Sequence, residues 1–185
     1  MLALLPLVLV LASCGMRDSD SGCAALAGGA YCLQPTTVLA PFSVQQKAEA
    51  TVGETRATMI AEIESDNEGL RFVGLTPMGQ TLLQVGYDNR AATARLLPDS
   101  RLSATLLVAF LQIALWPSEA VRAGLKEPLT LEDDGAVRRI RDRGDVVMSV
   151  AYAAGGERHR RMRFSIPAMG VSVDVETLDE MAREQ

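Results

Sequence analysis

Residues 102–115 read LSATLLVAFLQIAL and are apolar on nearly every side. A helix with this pattern has to be covered all round, because any bare flank would leave aliphatic surface in water. Asp99 or Ser100 is suited to cap its start, since a short side-chain oxygen accepts an orphan backbone N–H. Trp116-Pro117 ends it, because proline disfavours helix at the preceding residue. A short second helix over 118–124 follows, with Pro117 near its first position. Aromatic residues are 4% of the chain, so the cover must be aliphatic side chains and Met.

The segments on either side have strand character. From about Phe42 the pattern alternates with period two. Residues 55–65 place Ala57, Met59, Ala61 and Ile63 on one face and Thr58, Ile60, Glu62 and Glu64 on the other. Asp66-Asn67-Glu68-Gly69 and Asp88-Asn89-Arg90 are turn signals, and Pro77-Met78-Gly79 interrupts between strands over 70–76 and 81–87. A further strand is read over 91–97. After the helices, strands are read over 128–131, 137–141, 146–152, 158–166 and 171–176. The result is one α+β domain: a strongly curved antiparallel sheet of about ten strands, an incomplete barrel with the helical insert as its lid. A helix and a curled sheet seldom match fully, so a crevice is expected between them. Met59, Leu106, Phe110, Ile113 and Trp116 are the candidates to line it, with plain core packing as the competing reading.

Residues 1–13, MLALLPLVLVLAS, carry no charge and fall short of the roughly 20 residues a spanning helix needs. They match the apolar core of a secretory leader. Leu11-Ala12-Ser13-Cys14-Gly15 resembles the lipobox of bacterial lipoproteins. That resemblance implies removal of residues 1–13, a thioether-linked diacylglycerol on Cys14 and acylation of the new amino group. Gly15 after the cysteine implies transport to the outer membrane. The expected organisation is a leader over 1–13, a lipidated tether over 14–41, the domain over 42–178 and a tail over 179–185. Cys23 and Cys32 are left, and the exported compartment is oxidising, so a disulfide across this short loop is expected, with two free thiols as the alternative.

A lipobox, a strand meander, a buried helix pair and a second meander resemble the LolA/LolB lipoprotein carriers, whose fold is an incomplete barrel with a helical lid over an apolar cavity. Leu75-Thr76-Pro77-Met78-Gly79-Gln80 is similar to the turn from which the receptor member projects an apolar residue into the membrane. The resemblance puts Met78 in that role. The chain is also similar to a family of bacterial lipoproteins often encoded in aryl polyene clusters, through residues 74–80, residues 111–120 and Val173-Asp174-Val175-Glu176-Thr177-Leu178. That likeness implies moving or placing an acylated product at the outer membrane.

Little in the sequence suggests catalysis. His159 is the single histidine and sits among Arg158, Arg160, Arg161 and Arg163, and no phosphate loop, metal spacing or nucleophile elbow is present. No cofactor or metal is expected. A net charge of −5 argues against a nucleic-acid partner. Arg138, Arg139, Arg141, Arg160 and Arg161 could meet anionic headgroups, against the simpler reading of a solvated sheet face. Three functions follow: a non-enzymatic carrier or receptor for an apolar or acylated ligand, an assembly lipoprotein of an outer-membrane complex, and an enzyme or substrate chaperone on the same fold.

Overall fold

A computed structural model describes residues 22–99, 102–153 and 160–182. Cys14, the leader, Ser100 and His159 lie outside the described residues. In chain order the elements are β1 (Cys23–Leu26), β2 (Gly29–Cys32), a 3-10 turn (Thr36–Val38), β3 (Phe42–Val52), β4 (Thr55–Ser65), β5 (Leu70–Leu75), β6 (Thr81–Tyr87) and β7 (Ala92–Leu96). Then come α1 (Ala104–Leu115), α2 (Ser118–Gly124), β8 (Leu125–Lys126), β9 (Leu129–Asp133), β10 (Val137–Asp142), β11 (Asp145–Tyr152), β12 (Arg161–Ile166), a 3-10 turn (Pro167–Met169) and β13 (Val171–Ala182).

Among the described residues ten strands form one antiparallel sheet in the order β7-β6-β5-β4-β3-β13-β12-β11-β10-β9. Each half is a meander of sequence neighbours. The halves join along β3 and β13, which pair from Val52↔Val171 to Phe42↔Ala182. Period-two alternation puts Val44, Gln46 and Ala48 of β3, Ala61 and Ile63 of β4, and Met162, Phe164 and Ile166 of β12 on one buried face. The two helices lie against that face, with Phe110 of α1 edge-on to Phe164 at 5.2 Å between ring centroids. The expected curled sheet with a helical lid is the fold observed.

The tether expected over 14–41 is corrected for its described part. Residues 22–41 are built into the domain. β1, β2 and β8 form a small second sheet, and Tyr31 at its centre is fully buried. The reason is the demand set by α1: its outer flank needs a cover, and this hairpin supplies it. The tail expected from 179 is also corrected, because β13 continues to Ala182. A bulge between Thr177 and Asp179 breaks the alternation there and leaves Leu178 52% exposed, so the sequence pattern fades while the pairing continues. The cap of α1 is Ser103, whose hydroxyl accepts from the Leu106 N–H at 3.1 Å. Asp99 instead offers its carbonyl to Leu102, closing a turn before the helix starts.

Cys23 and Cys32 are paired in a disulfide that closes the β1–β2 hairpin. Replacing both by Ala is expected to cost about 2–3 kcal/mol through the entropy of the unfolded loop. Urea unfolding of the two forms measures it; equal midpoints would show that the hairpin pairs as well without the bond.

Candidate functional site

The C-terminus of α1 is held by side chains from two strands, Arg138 of β10 and Tyr152 of β11. The last carbonyls of a helix have no partner within it. Here the Ile113 and Trp116 carbonyls accept from Arg138 Nη1 at 2.6 and 2.9 Å, and the Ala114 carbonyl accepts from the Tyr152 hydroxyl at 2.8 Å. Arg138 is 1% exposed. Its Nε and Nη2 donate to Asp133 Oδ2 at 3.0 and 2.9 Å, and the Ser118 hydroxyl donates to the same oxygen at 2.5 Å. Burial opposes ionisation of Asp133, but Ser118, the Gly135 N–H and the Arg138 guanidinium outweigh it and hold its carboxyl well below the usual range. A cation at this helix end also complements the helix dipole.

On the far side of α1, the lone glutamine of the helix carries the cover. Gln112 is fully buried; its Oε1 accepts from the Gln34 N–H at 2.8 Å and its Nε2 donates to the Gln34 carbonyl at 2.7 Å. The Tyr31 hydroxyl donates to the same Oε1 at 3.3 Å, and the Trp116 indole N–H donates to the Pro35 carbonyl at 3.2 Å. Burial pushes the Tyr31 hydroxyl upward, so it stays a neutral donor. Residues 33–39 are thus a strap across α1, continued to the β6–β7 turn where Asn89 accepts from the Thr36 N–H at 2.7 Å.

The cover is uneven, and that matters for binding. Ala104, Thr105, Val108, Ala109, Gln112 and Ile113 are buried, whereas Leu106, Leu107, Phe110 and Leu111 are only partly so. Spacings of one, four and five residues put these four on one stripe of the helix. The concave sheet face opens in the same graded way. On β3, Val44 and Ala48 are buried while Val52 is 45% exposed; on β4, Ala61 is buried, Met59 half-buried and Ala57 exposed. Val171 and Val173, paired with Val52 and Ala50, are half-buried. This end of the concave face is an apolar mouth. A Cβ at Gly74 would meet the Met59 sulfur at 3.1 Å, so the missing side chain there makes room for that thioether.

Met59, Leu106 and Phe110 therefore belong to the partly open region. Ile113 and Trp116 do not: they are 0% and 1% exposed, buried under the strap and the Arg138 cluster, and the expectation that they line a crevice is corrected to solid core. Two clefts of about 440 and 250 Å³ lie on the opposite, convex side and are acidic, with Glu64 in both.

Met78 is 91% exposed at the apex of the β5–β6 turn. The Gly79 N–H donates to the Thr76 carbonyl at 2.8 Å, Thr76 Oγ1 accepts from Gln80, and Gly79 takes φ +83°, a conformation glycine adopts without strain. β5 pairs Leu75 with Ile60, so this turn projects at the same end as the mouth. Met169, 44% exposed, stands at that end too, in the turn leading into Val171.

The headgroup reading is corrected for Arg138, which is 1% exposed. Arg138 is the buried clamp just described. Arg139 is held by Glu132 and Asp134, Arg141 by Glu132, and Arg161 by Glu176. Arg160 is exposed. Neighbouring strands thus balance charge, in keeping with the simpler reading of a solvated sheet face.

Residues 43–179 match the profile of a family described as a protein of unknown function, DUF3261. The chain belongs to the DUF3261 family. The match spans the sheet from β3 into β13, both helices and the Met78 turn. No curated protein matches the chain. Among solved structures, this DUF3261 protein is similar to a LolA superfamily protein from Nitrosomonas europaea, at 11% identity and a TM-score of 0.48, over 79% of this chain and 87% of that one. It is also similar to a putative outer membrane lipoprotein-sorting protein domain from Vibrio parahaemolyticus, at 9% identity and a TM-score of 0.40, over 77% and 85%.

Proposed function

We propose that this DUF3261 protein is a lipid-anchored, non-enzymatic carrier or receptor at the periplasmic face of the outer membrane. It binds an apolar or acylated ligand, of the aryl polyene lipid kind, at the mouth of its concave sheet and helps place it in the membrane. The observation that supports this most is the partly buried apolar stripe Leu106, Leu107, Phe110 and Leu111, whose Phe110 meets a sheet with Val52, Ala57, Met59, Val171 and Val173 also incompletely covered. Apolar side chains left incompletely covered on both a helix and the sheet beneath it offer a surface on which an apolar ligand can complete the burial. Cys14 supplies the anchor in this reading, and Met78 the tip along which an acyl chain passes.

Burying one methionine is worth roughly 1.5–3 kcal/mol, too little to hold a protein at a bilayer but enough to bias a tip already kept near it. Met78→Glu is therefore expected to leave stability within about 0.5 kcal/mol of the parent, as a surface substitution does. It should slow transfer of bound lipid to liposomes. The measurement begins with native mass spectrometry of the full lipidated chain from its own membranes, to identify the co-purified acyl species. Transfer of that species by the two forms is then compared. A chain that carries no acyl species, or a Glu variant that transfers as fast as the parent, would defeat the proposal.

A further inference from the structure

Resting on Cys14 as the anchor and Met78 as an apolar tip, we propose that the β7 edge of the sheet is the flank laid against the anchoring membrane, with Arg90 and Arg95 meeting anionic headgroups. The point where the tether leaves the domain is well defined. The Cys23–Cys32 bond, the Leu33 N–H to Gly22 carbonyl bond of 2.7 Å and the Thr36–Asn89 contact hold Gly22 beside the β6–β7 turn. A Cβ on Gly22 would stand 3.5 Å from the Arg90 carbonyl oxygen. Gly22 is eight residues on from Cys14. Even fully extended, eight residues reach only about 26–29 Å.

Met78 is at the other end of β6. Seven strand residues separate the two turns, about 24 Å at the usual rise. With the Arg90 end down, Met78 stands a strand length off the bilayer. With the Met78 end down, the tether has to be drawn almost straight. Tip and anchor share one bilayer without that cost when β6 lies along the surface.

The edge beside β6 suits such a contact. Thr93, Ala94, Arg95 and Leu96 are all exposed in succession, although α1 packs against β7 and Ala92 is buried. Leu96, 44% exposed, and its neighbour Arg95 lie opposite the middle of β6, and Arg90 is at the exit of the tether. Among the described residues no ion pair holds Arg95, unlike the paired arginines of the second half, while Arg90 acts electrostatically on Asp88 in its own turn. The nearby Asp88 and Asp66 carboxylates accept backbone N–H groups of their own turns. Met78, Leu96 with Arg95, and Arg90 thus follow one another along a single edge from tip to anchor. An open strand edge otherwise invites pairing with another chain, so a membrane cover also protects it.

The test uses the full lipidated chain in vesicles of equal parts phosphatidylethanolamine and phosphatidylglycerol. p-Benzoylphenylalanine replaces Met78, Leu96 or, as a control on another strand, Leu178. Intact mass first reports acylation of Cys14, and illumination then reports what each position touches. Lipid adducts are expected from 78 and 96 and few from 178. Arg90→Gln with Arg95→Gln should lower the adduct yield at 96 by about five-fold per cation removed, the factor typical near an anionic surface. Added salt should lower it in the parent. Equal lipid adducts at 178, or a doubled chain mass from position 96 showing that the edge pairs with a second copy, would overturn the proposal while leaving the anchor intact. A mass without acyl chains would remove the anchor reading and this one with it.

Discussion

Arg138→Ala is expected to destabilise the domain by about 3–5 kcal/mol, the usual cost of stripping one partner from a buried ion pair. Three deficits arise together. Asp133, its side chain 3% exposed, keeps its charge without the guanidinium. The Ile113 and Trp116 carbonyls lose their donor at the end of α1. A space also opens below Tyr152, whose ring lies 5.9 Å from the Arg138 carbon. Replacing both partners, Arg138→Met with Asp133→Leu, should cost less than the single change, because no buried charge is left behind. Equilibrium unfolding in urea for the set measures this, and a double variant weaker than the single would contradict it.

The same pair sets an acid limit. The folded-state value for Asp133 is depressed, so its contribution is present above the unfolded value near 3.9 and is lost as pH falls below it. The gap between parent and Arg138→Ala should therefore narrow below about pH 4, where protonation relieves the unpartnered carboxylate.

Trp116→Ala should cost about 3–5 kcal/mol, the range for truncating a large buried aromatic. Trp116 is 1% exposed, and it also donates to the strap at Pro35. Trp116→Phe separates the two roles. It keeps most of the ring and removes the donor, leaving the Pro35 carbonyl without that partner, a loss of about 1–3 kcal/mol if the group stays buried. Hydrogen exchange gives the local readout. The Gln34 N–H, bonded to Gln112, should lose protection in Trp116→Ala before the sheet amides do. Uniform loss across the sheet would mean that the strap and the core open as one unit.

Most elements were legible from local pattern. The strands over 55–65 and 81–87 and the helix over 118–124 have the bounds the sequence predicts. Turn residues and alternation are local signals, and an antiparallel meander pairs neighbours. The all-round apolar helix also dictated that something must cover it. Two buried polar residues carry a signal in the sequence itself. Gln112 is the one amide in an apolar helix, and a buried amide needs partners. Arg138 is two residues from Ile140 on a strand and so shares its inward face, although its run of arginines looks like a solvated surface.

By itself, then, the sequence determined the fold class, the order of the strands within each half, and the apolar turn at Met78. Each depends on residues a few positions apart. Only the tertiary structure decided which segment covers α1, that Arg138 neutralises Asp133 inside the core, and which flank of the helix stays half-open. Those outcomes join residues separated by 78 positions at Gln34 and Gln112, or by 25 at Ile113 and Arg138. Such contacts form where the curled sheet brings distant strands beneath one helix, and no local periodicity encodes that meeting.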